Sequence, residues 1–220
     1  MFARDGYWVI EAHPRNLRPY QPGRFQTVGE HAREVDGLVA AVNVGFYYWS
    51  PRLARPLPAS ALVLPDRTLP LAKRVPSHNW PVRPAICSAK GQAWFERFAE
   101  VDQALADRLD WAAGGGPMLL EGGEVVWRKY MDAEKYLGLG QSISRARTAI
   151  GLKADNTALL VVARSLSLDQ LAAVLQAEGA VDAMYCDGGR SSGLWYRGLD
   201  IMTSGDVPAI MGVMREREAR

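Results

Sequence analysis

Along the N-terminal part of the chain, apolar residues come in short runs. The runs predict short strands at Tyr7–Ala12, Gly37–Asn43, Ala61–Leu64 and Val82–Ser88. Eleven of the thirteen prolines lie between Pro14 and Pro84. Proline removes a ladder donor and discourages helix, so long elements are excluded there. The spacing changes from Trp94 onward. Trp94, Phe98, Val101, Leu105 and Leu109 are separated by four, three, four and four positions, which predicts one amphipathic helix with this stripe in the core. The Gly114-Gly115-Gly116-Pro117 cluster ends that helix. Met118–Leu120 then predicts a strand that turns at Gly122-Gly123 into a second one, Val125–Arg128.

Farther along, Thr148–Lys153 and Thr157–Ala163 are apolar runs separated by Asp155-Asn156, a pattern that predicts a hairpin. Ser167 and Gln170 form a capping-box signature, and Leu168, Leu171, Ala172 and Leu175 mark the buried face of a helix ending at Gly179. Strands follow at Val181–Cys186, Leu194–Arg197 and Ala209–Met214. No internal repeat or linker interrupts the order. The expectation is a single α+β domain over residues 1–220, with mixed or antiparallel sheets and a few packed helices.

Composition narrows the class. The chain has 48% apolar and 23% charged residues, as ordinary folded proteins do. The net charge of +2 is too small to argue for nucleic acid, although the stretch Glu11–Pro84 is mildly basic. No stretch approaches the roughly 18 consecutive apolar residues of a membrane span. The opening MFARDGYWVIEAHPRN has charge and proline where a signal peptide needs an apolar region. A cytoplasmic chain is the expectation, with a processed exported form left open, and oligomeric state is not legible. Two cysteines, Cys87 and Cys186, cannot build a disulfide framework or a four-cysteine metal site. The segment Phe46–Leu57, FYYWSPRLARPL, reads either as a loop plugging the core edge or as a wall that stacks on a sugar or base.

Elimination removes several chemistries. His13, His31 and His78 have no partner at i+3 or i+4, so neither a zinc site nor any other metal site is expected. No GxxxxGK[ST] run occurs, and Gly138-Leu139-Gly140 lacks a third glycine, so no nucleotide cofactor is expected. Gly189-Arg190-Ser191-Ser192-Gly193 matches G-x-S-x-G, but no histidine follows His78, which argues against a serine hydrolase.

What remains is a set of motifs at strand ends, where a rigid sheet presents side chains to a ligand. They are Asn43-Val44-Gly45-Phe46, Gly114-Gly115-Gly116-Pro117, Arg145-Ala146-Arg147-Thr148 and Asp187-Gly188-Gly189-Arg190-Ser191-Ser192. Taken in this order over residues 39–213, the chain resembles the phosphodiester glycosidase family. The likeness is strongest from Arg145 to Ser192, in RARTAIGLKADNTALLVVA and SLDQLAAVLQAEGAVDAMYCDGGRSS. Two positions depart from the family pattern. Arg190 stands where a third glycine is usual, and Val44 stands within a pattern closer to N-[GA]-G-[YF]-F.

The resemblance implies an enzyme that hydrolyses a sugar-1-phosphodiester at the anomeric carbon, releasing sugar and a phosphate monoester. The partner is then a small-molecule or glycan sugar phosphate. Phosphate is a good leaving group, so the paired carboxylates of ordinary glycosidases are less necessary. Asp187 is the implied catalytic carboxylate, as stabiliser of the oxocarbenium-like sugar, nucleophile or base. Asn43 is implied beside it, facing sugar hydroxyls or the attacking water. Arg147 is the implied phosphate clamp, with Thr148, Gly115, Gly116 and Phe46 as further substrate contacts. Gly188, Gly189, Ser191 and Ser192 offer backbone and hydroxyl donors to an anion; Arg190 and Arg145 are candidate secondary phosphate contacts, with Arg145 read rather as a solvated charge. The alternative is a non-catalytic sugar-phosphate or nucleotide-binding protein using the same pocket.

Overall fold

The computed structural model describes residues 1–50, 55–59, 61–65, 67–68, 83–98, 103–133 and 143–216. The chain is α+β, built from antiparallel sheets with short helices on their outer faces. A seven-stranded sheet has the order Phe2–Arg4, Tyr7–Ala12, Ala158–Leu166, Arg145–Lys153, Ala180–Tyr185, Met118–Glu121, Glu124–Val125. Its centre is the expected hairpin, with Ile150 opposite Leu160 and Asn156 at φ 68° in the turn. The run Ala158–Ala163 is continuously apolar because both faces of this sheet are covered. Leu159 and Val161 pack with Leu168, Leu171 and Leu175 of the helix Leu168–Ala177, whereas Leu160 and Val162 point into the central core.

Two five-stranded sheets close the central core. One runs Leu199–Met202, Leu194–Tyr196, Leu38–Asn43, Ile210–Met214, Leu17–Tyr20. Pro19 is tolerated because its strand is at the edge. The other runs Gln92–Phe98, Arg83–Ala89, Trp111–Gly114, Leu62–Leu64, Arg67–Thr68. Leu17, Val42, Ile86, Trp111, Ile150 and Met211 meet between the three sheets. The helix Val28–Arg33 covers the outer face of the first of these sheets through Val28 and Ala32, against Ala41, Trp195 and Ile210. Among the described residues, no helix is long and apolar enough to cross a membrane.

Helix Leu168–Ala177 starts as its sequence predicts. Ser167 Oγ accepts from the Gln170 N–H at 3.2 Å, and Gln170 Oε1 accepts from the Ser167 N–H at 2.8 Å. Replacing Ser167 by Ala is expected to lower stability by about 1 kcal/mol, as loss of an N-cap does. Chemical denaturation with an unchanged slope would show it.

Two expectations are corrected. The stripe from Trp94 to Leu109 is not one helix: Gln92–Phe98 is a strand, and among the described residues of the stripe only Gln103–Ala106 is α-helical. Positions four apart share a face in a strand as well as in a helix, so Trp94 and Phe98 fit both periods. The hairpin partner decides it, because Arg83–Ala89 pairs with this strand across Lys90-Gly91, where φ is 52° and 75°. The stripe does reach a common core, since Trp94, Phe98, Leu105 and Leu109 pack in one cluster; Val101 lies outside the described residues. Likewise Val125–Arg128 is not a strand. Pairing stops at Val125, and Trp127–Ala133 is a helix anchored by Trp127 Nε1 donating to Asp169 at 3.0 Å.

Candidate active site

The site forms where strands of two sheets end side by side. Strand Ala180–Tyr185 runs on through Cys186, whose N–H donates to the Thr148 carbonyl at 2.8 Å, and the chain then leaves the sheet at Asp187. The turn that follows folds back onto the Asp187 side chain. The Gly188 N–H donates to Oδ1 at 2.9 Å, and the Ser191 hydroxyl donates to Oδ2 at 2.7 Å. Gly189 opens the turn at φ 65° with open space where a Cβ would be. Gly188 has no such room, because a Cβ there would lie 1.9 Å from the Tyr185 hydroxyl oxygen. Asp187 is half-buried. Burial pushes its carboxyl above the ordinary value, and the Ser191 and Gly188 hydrogen bonds oppose that shift without cancelling it.

Asn43 ends strand Leu38–Asn43 in the neighbouring sheet, and its side chain is 1% exposed. Its Nδ2 donates to the Asp187 carbonyl at 2.6 Å, while Oδ1 accepts from Thr148 Oγ1 at 2.6 Å and from the Gly193 N–H at 3.2 Å. One amide thus ties three strand ends to the Asp187 backbone. Burial pushes the Cys186 thiol up to about 12, with the Gly45 backbone opposing the shift.

Arg147 is fully buried. Nε donates to the Leu166 carbonyl, Nη1 to the Tyr185 hydroxyl and Nη2 to the Ile143 carbonyl, each at 3.0 Å. Its guanidinium is therefore held by protein acceptors and closed to solvent. Tyr185 is buried in turn, touching Gly188 on one side and the Phe46 ring on the other at a centroid distance of 6.2 Å. The Arg83 guanidinium lies over Phe46, 5.7 Å from the ring centroid.

The remaining sequence candidates fall around this centre. Gly115 and Gly116 are buried; the Gly116 N–H donates to the Tyr185 carbonyl at 2.6 Å, and a Cβ at Gly115 would lie 2.5 Å from that oxygen. Ser192 is buried, and among the described residues its hydroxyl has no partner. Arg190 is exposed on the turn, and Arg145 is half-buried. Of the histidines, the His13 ring accepts from the Arg15 N–H, and His31 is buried with Nε2 2.7 Å from the Val207 carbonyl; His78 lies outside the described residues, with Gly138 to Gly140. Among the described residues no cluster of three His, Cys, Asp or Glu could hold a metal.

Two residues were not singled out by sequence. Tyr185 is the wedge between Arg147 and Gly188, and only its place before the Cys186-Asp187 strand end hinted at that. Tyr47 lies inside the aromatic run, and burial together with the nearby Asp187 charge pushes its phenol above the ordinary value. It also lines a narrow cavity beside the site, with Gly45, Phe46, Leu62, Ala113 and Pro208. Much of the rest of that run, from Pro51 to Ala54, is outside the described residues.

The strand-end carboxylate, clasped by a glycine-serine turn, sits on stacked antiparallel sheets. A sequence model of the phosphodiester glycosidase family matches residues 36–216. The chain belongs to the phosphodiester glycosidase family. The fold is similar to the catalytic domain of zebrafish N-acetylglucosamine-1-phosphodiester alpha-N-acetylglucosaminidase, auto-inhibited by its pro-peptide, with a TM-score of 0.71 and 16% identity over 96% of this chain and 82% of that one. It is also similar to a hypothetical protein from Synechocystis, with a TM-score of 0.72 and 17% identity over 98% of this chain but only 61% of that one. No curated protein matches the chain.

Proposed function

We propose that the protein hydrolyses a sugar-1-phosphodiester at the anomeric carbon. The observation that carries this is Asp187, a half-buried carboxylate at a strand end whose two oxygens are oriented by Gly188 and Ser191. In the reaction a water oxygen bonds to the anomeric carbon while the bond from that carbon to the phosphate oxygen breaks. The electron pair of the broken bond leaves with the phosphate monoester, and a water proton passes to Asp187. A carboxyl raised by burial is a better proton acceptor than an ordinary surface aspartate.

Phosphate recognition falls to the turn itself. Ser192 brings a buried hydroxyl with no partner among the described residues, and Arg190 brings an exposed guanidinium in place of a glycine. Asn43, Thr148 and Arg147 then act as positioning residues, because their polar atoms are already held by protein groups. The glycine at 115 lets the backbone pass close to the Tyr185 carbonyl, to which the Gly116 N–H donates.

The test is incubation with a panel of sugar-1-phosphodiesters and nucleotide sugars, read by mass spectrometry. Release of sugar together with phosphate monoester supports the reading. Tight binding without turnover across the panel would replace it with the non-catalytic sugar-phosphate-binding alternative. The proposed chemistry uses protein groups alone, so activity is expected to survive exhaustive chelation. Loss on chelation with rescue by calcium or magnesium would require an oxygen-ligand site and a different mechanism.

A further inference from the structure

The cavity beside the site is built from the same strand ends as the site itself. Val44 to Tyr47 follow directly on Asn43, and Ala113 and Gly114 end the strand that leads into Gly115 and Gly116. Its empty space is about 270 Å³, counting the mouth, which is smaller than pockets that enclose a whole drug-sized ligand. Among the described residues, Val44, Leu62, Ala113 and Ala209 give it apolar walls, Gln21 and Tyr47 bring its polar side chains, and none of the lining side chains is charged. One small uncharged group suits that lining.

The walls are fastened to one another. The Val44 N–H donates to the Ala209 carbonyl at 3.3 Å, the Gly114 N–H to the Ala61 carbonyl at 2.6 Å, and the Ala59 N–H to the Phe46 carbonyl at 2.8 Å. Gly45, at φ 73°, runs so near the neighbouring strand that a Cβ there would lie 3.3 Å from the Gly114 oxygen. A close-packed frame tied in this way resists widening around a larger group. Val44 is 3% exposed and packs in the central core with Leu62, Ala113 and Ala209, and its branched side chain is stiff. It is also the position that departs from the pattern N-[GA]-G-[YF]-F, and its isopropyl group takes space that glycine or alanine leaves open.

We propose that Val44 determines which sugar the site takes: the cavity holds one ring substituent of the sugar, and Val44 leaves room for a hydroxyl but not for an acylated amino group. This rests on the reading of the site as one for sugar-1-phosphodiesters. The two parts of such a substrate fall on different sides of Asp187. The turn with Arg190 and Ser192, which takes the phosphate, is fastened on the side of Ser204 and Gly205, where the Gly205 N–H donates to the Arg190 carbonyl at 2.5 Å. The sugar is left the side of Asn43, whose Nδ2 holds the Asp187 carbonyl and whose next residue, Val44, lines the cavity. An acylamino group carries a carbonyl and a methyl beyond the atom that replaces the hydroxyl oxygen. A rigid wall penalises those atoms by clash, which is how a pocket rejects a larger analogue.

The experiment compares a hexose-1-phosphodiester with its N-acetylated amino-sugar counterpart, both carrying the same aglycone, on the full chain. Two quantities are read: kcat/KM, and affinity by calorimetry in an Asp187→Asn background, where binding does not depend on turnover. The parent is expected to favour the hydroxyl sugar by about tenfold or more, the scale of one misfit group in a tight pocket. Val44→Ala is expected to shrink that preference about tenfold, and Val44→Ile to enlarge it. The two variants bracket the parent in size, so a mere loss of packing would move both in the same direction. A preference unchanged in both variants, or moved the same way in both, overturns the proposal, and so does a parent that favours the acylated sugar. If melting shows that Val44→Ala does not fold, Val44→Ile decides alone, and a preference that fails to grow overturns the proposal. An affinity ratio that shifts as stated, with neither diester turned over, supports the proposal and overturns the hydrolytic reading. Turnover with a ratio indifferent to residue 44 does the reverse, and no binding of either diester to any variant overturns both.

Discussion

Replacement of Asp187 by Asn is expected to lower kcat/KM by about 10² or more, on the scale of lost acid-base or charge-stabilising groups. The melting temperature at neutral pH is expected to stay level or rise. The amide is nearly isosteric. Its carbonyl can still accept from the Gly188 N–H, and the Ser191 hydroxyl can turn to accept from the new NH₂. What disappears is a negative charge that burial disfavours, so the fold loses a cost while the reaction loses its carboxylate. The pH dependence has a definite sign. A carboxyl raised in the folded state stabilises the fold when protonated, so its contribution is complete below the usual carboxylate range and is lost as pH rises through the raised folded value. Thermal melts of parent and variant across acid to neutral pH are therefore expected to show the parent losing ground to the variant as pH rises. Unchanged turnover would remove Asp187 from the mechanism.

The sheets were legible because their strands are marked at both ends. The turn at Asp155-Asn156, the capping box at Ser167 and the glycine at 179 bracket the Arg145–Tyr185 segment, and Ala158–Ala163 is apolar throughout because its sheet is covered twice. Where sequence misled, one spacing served two periods. Trp94 and Phe98 share a face in helix and strand alike, and only the Arg83–Ala89 partner distinguishes them. Partners across a sheet are long-range facts that a local window does not contain. The same holds at the site. Asp187, Asn43, Thr148 and Ser191 could be named because strand-end motifs carry them, and the structure brings them within hydrogen-bond reach. What each polar atom bonds to was not legible. Asn43 reads as a group free to meet a substrate, yet both ends of its amide are occupied. Tyr47 reads as one ring in an aromatic run, and its place beside the Asp187 charge is again a long-range fact.

Arg147 is where sequence and geometry suggest different roles, and stability separates them. If it serves as a strut, Arg147→Ala and Arg147→Lys are both expected to lower the melting temperature sharply. The alanine variant strands the Leu166 and Ile143 carbonyls and the Tyr185 hydroxyl without their donor, inside a fully enclosed void. That costs about 3–5 kcal/mol when a buried side chain and its hydrogen bonds are removed together. Lysine fills part of the void but has one ammonium where three acceptors are arranged around a planar fork, so about 2 kcal/mol or more is expected to be lost. The damage should reach the site by a stated route. Without Arg147 the Tyr185 hydroxyl is free to move, and the Gly188 backbone packed on that hydroxyl moves with it, carrying the Asp187 carboxylate out of place. Tyr185→Phe provides the control, since it removes only the hydroxyl link. Coupled losses of stability in a double-mutant cycle with Arg147→Lys are expected, as for residues sharing one hydrogen bond. A phosphate clamp predicts the opposite pattern, with substrate affinity lost in both Arg147 variants and melting left near the parent's. That result would return Arg147 to the substrate and require the pocket to open around it.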